Sequence, residues 1–147
     1  MEKNNRILIK PTTIADVVKI EIPKVQDTRG NLSVIEGRLI PFEIKRVYYL
    51  YDVPSGATRG GHAHIQLQQF IMVLSGSFDI VLKDGANECK INLNKPNEGI
   101  LIPPGIWREL ENFSSGSVCL VIASEVFEET DYIRQYEDFL SFKNTIT

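Results

Sequence analysis

The chain has 147 residues, 43% of them hydrophobic and 24% charged, with a formal net charge of −3. That length suits one domain with a sizeable core. The charge excludes a basic surface for nucleic acid, and no apolar run approaches the roughly 18–20 residues that cross a bilayer.

Taken from the N-terminus, residues 1–6 are polar with no apolar stretch behind them, so no secretory leader is expected and the chain reads as cytoplasmic. Val18, Ile20 and Ile22 alternate with charged residues, which predicts an N-terminal strand within 13–24. Leu32-Ser33-Val34 follows a turn at Arg29-Gly30. Val47, Tyr49 and Tyr51 alternate with Arg46, Tyr48 and Leu50. Phe70, Met72 and Leu74 run up to Ser75-Gly76, and Phe78, Ile80 and Leu82 run up to Asp84-Gly85. Those last two residues tolerate positive φ and signal a hairpin, with Cys89, Ile91 and Leu93 on the return strand. Ile100-Leu101-Ile102 stops at Pro103-Pro104-Gly105. Residues 118–123 form a continuous apolar run, as expected of a strand buried on both faces.

Only the C-terminal end has helical spacing: Ile133, Tyr136 and Leu140 recur, with Tyr132 and Phe139 beside them. Thr130 or Asp131 is the expected cap, which predicts a helix over about 131–143. Short strands with regular turns predict an all-β closed barrel or jelly roll over about 25–125, and one domain over 1–147. Cys89 and Cys119 lie in strand-like segments and read as free thiols.

Thr58-Arg59-Gly60-Gly61-His62-Ala63-His64 is the most informative segment. It holds both histidines of the chain. Residues i and i+2 of a strand share a face, so two imidazoles are expected along one pocket wall. Metal ligation and proton transfer are both chemistries of such a pair.

Gly56, His62, His64, Gln69 and Gly76 have the spacing of the first cupin motif, which normally carries a glutamate where Gln69 (or Gln68) stands. Pro103-Pro104-Gly105, Arg108 and Asn112 resemble the second motif, where a histidine is usual in place of Arg108. A guanidinium is no ligand and repels a cation, so no metal is expected.

A longer ordered set resembles one cupin branch, the dTDP-4-keto-6-deoxyglucose 3,4-ketoisomerases. It comprises residues 27–32, 41–49, 59–64, 106–109 and 129–136. The resemblance implies a cupin jelly roll with a short C-terminal α-helix, free of metal and cofactor and usually homodimeric. It also implies a dTDP-linked keto sugar as ligand, with the histidine pair beside the sugar, in deoxyamino-sugar biosynthesis for surface polysaccharides.

On that reading His62 is the expected carbon base and His64 the shuttle for the oxygen-bound proton. Tyr48 and Arg46 share a strand face, and Tyr48 is expected to donate to a sugar oxygen. Arg46 and Arg59 are the first candidates for the diphosphate, with Arg29 a weaker one. Arg108 is expected in the pocket, contacting substrate or pairing with Glu109. Gln68 or Gln69, whichever faces inward, is a candidate hydrogen-bond partner, and Trp107 a candidate for stacking on thymine. The alternatives are a 3,5-epimerase of the same sugar, a non-catalytic sugar-binding cupin, and a metal-dependent cupin oxygenase. The strand at 18–22 is expected to be able to pair across a subunit boundary.

Overall fold

The computed structural model describes residues 11–146; the polar stretch at 1–6 lies outside them. A short 3-10 helix, Ile14–Asp16, comes first, held by reciprocal bonds between Thr13 and the turn. The strands then run β1 (Val18–Glu21), β2 (Lys24–Asp27), β3 (Gly30–Ser33), β4 (Arg46–Leu50), β5 (Arg59–His64) and β6 (Gln69–Ser75). They continue as β7 (Phe78–Lys83), β8 (Glu88–Leu93), β9 (Glu98–Ile102), β10 (Trp107–Glu111), β11 (Val118–Ala123) and β12 (Tyr132–Ile133), and helix α1 (Tyr136–Ile146) closes the fold.

One sheet has the order β1-β9-β6-β11-β4 and the other β12-β5-β10-β7-β8, with β2-β3 a separate hairpin. Neighbours distant in sequence, all antiparallel, make this the expected jelly roll. The period-2 alternation decides what each face buries. Ile71, Val73, Ile80, Leu82, Ile100, Ile102 and Val121 point between the sheets and form the main core. Phe70, Met72 and Ile122 point outward and are covered by Ile22 and Ile40 from the N-terminal third. Strands β6 and β11 therefore bury both faces, which is why residues 118–123 read as unbroken apolar sequence. Gly99, opposite Met72 across the β9-β6 pair, lets the Phe70 ring lie where a Cβ would sit.

The hairpin at Asp84-Gly85 forms as expected. Asp84 Oδ1 accepts from Ala86 N and Asn87 N at 2.9 and 2.7 Å, and Gly85 takes φ 94°. Cys89 and Cys119 are free thiols, and burial pushes Cys119 up to about 12.

The C-terminal helix begins later than its spacing suggested. Glu129–Asp131 is a 3-10 turn, and Tyr132 and Ile133 pair with His64 and Ala63 as a strand. The physical reason is that the Asp131 carboxylate does not cap a helix; it accepts from Gln66 N and Leu67 N at 2.8 and 3.2 Å. The first helical bond is Phe139 N to Gln135 O. Helix α1 packs Phe139, Tyr136 and Leu140 over Trp107 and Ala63 on the outer face of the second sheet. Lys143 anchors its end by donating to Thr12 O and Gly105 O at 2.5 and 2.9 Å. The N-terminal strand has its partner within the chain, since Val18–Glu21 pairs with β9. Among the described residues, no helix is long and apolar enough to cross a membrane.

Candidate active site

The site forms on β5 because that strand is irregular. Arg108 of β10 pairs with His62, but Leu110, two residues on, pairs with Arg59. Strand β5 thus carries an extra residue at Gly60-Gly61, a bulge in which Gly60 has φ 72°. In a regular strand, residues three apart face opposite sides. The bulge turns Arg59 and His62 to the same side, and both line one cavity of about 410 Å³. Arg46 and Tyr48 on β4 join them from the facing sheet, with Gln69 on β6 and Arg108 on β10 at the buried end.

His62 is 8% exposed and its Nε2 has no hydrogen-bond partner among the described residues. Burial, then the charges of Arg108 and Arg134, lower its pKa to about 3, so the ring is neutral near pH 7. His64 is fully buried, 4.7 Å from His62 between ring centroids and edge-on to it. It stands one layer behind the cavity wall. Burial and Arg108 bring it down to about 2. Its Nδ1 is 3.1 Å from Asp131 Oδ2 and its Nε2 is 3.4 Å from Gln69 Nε2. With the ring neutral, the contact to Asp131 is an N–H to carboxylate hydrogen bond and not an ion pair.

Arg108 is 1% exposed. It donates to Gln69 Oε1 and Ile106 O, both at 2.8 Å, while its Nε has no partner. Burial lowers it to about 10, which leaves it charged at neutral pH. Gln69 Nε2 donates to Tyr48 Oη at 3.1 Å. Burial raises the Tyr48 pKa, so the phenol keeps its proton. With its oxygen accepting from Gln69, Tyr48 has that proton free for the cavity. Arg46 donates to Tyr132 Oη at 3.2 Å and lies 4.5 Å over the Tyr48 ring.

Several expected residues stand elsewhere. The inward glutamine is Gln69; Gln68 is outside the cavity lining, and its backbone N–H donates to Ser124 Oγ at 2.8 Å. Trp107 alternates with Arg108 and so faces outward, buried against Phe139 and Tyr136, away from any ligand in the cavity. Its Nε1 donates to Glu109 at 3.0 Å, so Glu109 is Trp107's partner and not Arg108's. Arg29 lies on the β2-β3 hairpin, 88% exposed in its side chain and bound to Asp27 at 2.8 Å, outside the cavity lining.

Phe127, Tyr132 and Arg134 line the cavity and were missed. Tyr132 lies 5.0 Å from His62 and 4.4 Å from His64, ring to ring. The helical spacing of 132–140 concealed Tyr132, because it suggested packing for a residue that pairs with His64 in strand β12. Among the described residues, no three His, Cys, Asp or Glu side chains converge as a metal site would need.

Residues 15–144 match the family described as FdtA: WxcM-like, C-terminal. The TDP-4-oxo-6-deoxy-alpha-D-glucose-3,4-oxoisomerase of Aneurinibacillus thermoaerophilus is 44% identical over 124 residues, which is 84% of this chain and 89% of that protein. The crystal structure of a 3,4-ketoisomerase from Helicobacter canadensis is 45% identical, with a TM-score of 0.85 over 88% of this chain and 98% of its own. A histidine-to-asparagine mutant of the 3,4-ketoisomerase QdtA from Thermoanaerobacterium thermosaccharolyticum, in complex with TDP-4-keto-6-deoxyglucose, is 42% identical. Its TM-score is 0.87, over 90% of this chain and 96% of that one. With the family model spanning most of the chain and relatives this similar covering nearly all of it, the chain belongs to the FdtA-type family of cupin-fold sugar 3,4-ketoisomerases.

Proposed function

We propose that this protein isomerises dTDP-4-keto-6-deoxyglucose by moving the ketone from C4 to C3, a step towards deoxyamino sugars of surface polysaccharides. One observation carries the mechanism: a neutral, buried imidazole, His62, lines a cavity that ends on the buried guanidinium of Arg108, and its Nε2 has no hydrogen-bond partner among the described residues. A base must be neutral to accept a proton, and a buried cation stabilises the anion that forms.

His62 Nε2 removes the C3 proton, which the C4 carbonyl acidifies, and returns it to C4 of the enediolate. Meanwhile O3 loses a proton and O4 gains one. Tyr48 donates to the O4 oxyanion as it develops. His64 Nε2 takes the O3 proton by displacing the contact to Gln69, the longest bond of the network at 3.4 Å, and delivers it to O4, which returns the ring to its neutral form. Arg46 and Arg59 hold the diphosphate, and Arg134 joins them from the cavity lining. Phe127, 54% exposed and lining the cavity, replaces Trp107 as the aromatic for the base.

The same reading includes a homodimer in the cytoplasm. Strand β4 is a sheet edge carrying Val47 and Tyr49, with Tyr51 just beyond it, each more than half exposed, a surface that a second copy would cover. The unpaired thiols fit a reducing compartment. Light scattering should give twice the 16.6 kDa chain mass.

The deciding experiment is incubation with dTDP-4-keto-6-deoxyglucose in deuterated water, followed by NMR. A ketone at C3 with no label at C5 is expected; deuterium at C4 measures how far the His62 proton exchanges with solvent before its return. Label at C5 would establish the epimerase instead, and binding without turnover would establish a sugar-binding protein. Stoichiometric iron or nickel in the purified protein would revive the oxygenase reading.

A further inference from the structure

Asp131 has no part in the chemistry that the sequence assigns to the histidine pair, yet its carboxylate makes three polar contacts beside that pair. Its Oδ1 accepts from Gln66 N at 2.8 Å. Its Oδ2 accepts from His64 Nδ1 at 3.1 Å and Leu67 N at 3.2 Å, and its carbonyl accepts from Ile65 N at 3.0 Å. The next residue, Tyr132, pairs with His64 across β12 and β5. One residue thus grips the four consecutive positions 64–67.

We propose that Asp131 is a positioning residue for the isomerisation: it fixes His64 in the tautomer with the proton on Nδ1, leaving Nε2 bare on the side of Gln69 and the cavity. A carboxylate only accepts, so Nδ1 must carry the hydrogen. The opposite end of the network demands the same tautomer independently. Arg108 only donates, so the Gln69 oxygen must face it at 2.8 Å. The Gln69 amide N–H groups then point at Tyr48 Oη and at His64 Nε2, which must be an acceptor. The line Asp131–His64–Gln69–Arg108 runs from a fixed anion to a fixed cation, and each of its three links pairs a donor with an acceptor. Free neutral imidazole prefers its proton on Nε2. In that form His64 would set an N–H against the Gln69 N–H and could take no proton from a sugar hydroxyl. Asp131 also faces the imidazolium that His64 becomes during the oxygen-proton shuttle.

This inference rests on the proposed role of His64, so its test has one readout independent of turnover. The chain has only two histidines. Long-range proton–nitrogen NMR therefore shows two imidazoles, and His62→Asn leaves one for assignment. The expected wild-type result is a protonated Nδ1 and a bare Nε2 on His64. A protonated Nε2 overturns the proposal whether or not the protein is an isomerase.

In Asp131→Ala no acceptor faces His64 Nδ1, and the tautomer should revert to a proton on Nε2. With dTDP-4-keto-6-deoxyglucose, kcat should then fall about 10–100-fold with KM within a factor of about three. Asp131→Glu should recover part of the loss. A folded Asp131→Ala variant with unchanged kcat, or one that keeps the wild-type tautomer, refutes the assignment. If that variant does not fold, the wild-type tautomer alone decides. Absence of wild-type turnover would count against the isomerase reading and leave the tautomer result standing.

Discussion

Acidification to pH 5 should destabilise this protein through its two histidines alone. Burial, ahead of Arg108, holds His62 near 3 and His64 near 2, against 6.5 for an ordinary histidine. Both folded values are depressed, so the stabilisation is complete above pH 6.5 and is lost as pH falls from there towards the folded values. In that window the unfolded chain takes up two protons and the folded one takes up none. At pH 5 the loss is about 2 kcal/mol per imidazole, or about 4 kcal/mol together. Because both folded values lie well below 5, this magnitude depends only on the unfolded value. For a chain of this length it corresponds to a fall in Tm of roughly 10 °C between pH 7 and pH 5. Carboxylates held low by their partners, Asp27, Asp84 and Glu129, take up protons at lower pH. The assay is thermal unfolding followed by circular dichroism at constant ionic strength, with a His62→Asn/His64→Asn double variant as control. The control should lose most of the slope. A flat wild-type profile, or a control with the same slope, would refute the claim that both rings are buried neutral.

His62→Asn should lower kcat by about 10²–10⁴-fold while dTDP binding, followed by calorimetry, stays within a few-fold. Tyr48→Phe removes the O–H proposed to meet the ketone oxygen; kcat should fall about 100-fold with KM little changed, and wild-type kcat would exclude the oxyanion role. Gly99→Ala places a methyl where the Phe70 ring lies and should destabilise by about 1–3 kcal/mol in urea unfolding. Activity of the folded fraction should be unaffected, because Gly99 and Phe70 lie outside the cavity lining.

Turns and alternation in the sequence were enough for the barrel, the Asp84-Gly85 hairpin and the doubly buried run at 118–123. Those are local properties, read from period 2 and from residues that accept positive φ. Strand alternation likewise placed Arg46 and Tyr48 on one inward face and sent Tyr49 outward. The two histidines were legible because their spacing alone puts them on one side of a strand.

How the two imidazoles stand relative to the cavity was decided only by the tertiary structure. The Gly60-Gly61 bulge, visible only once β5 is paired with β10, brings Arg59 and His62 onto one face. Alternation could not say which of Gln68 and Gln69 points inward, or that Trp107 faces helix α1, until the pairing of β6 and β10 fixed which side is core. The separation of His62, open to the cavity, from His64, held behind it, comes from Asp131 and Gln69. Asp131 lies 67 positions from His64 in the chain. Contacts between segments so far apart leave no periodic trace in the sequence, because each partner satisfies its own local pattern without the other.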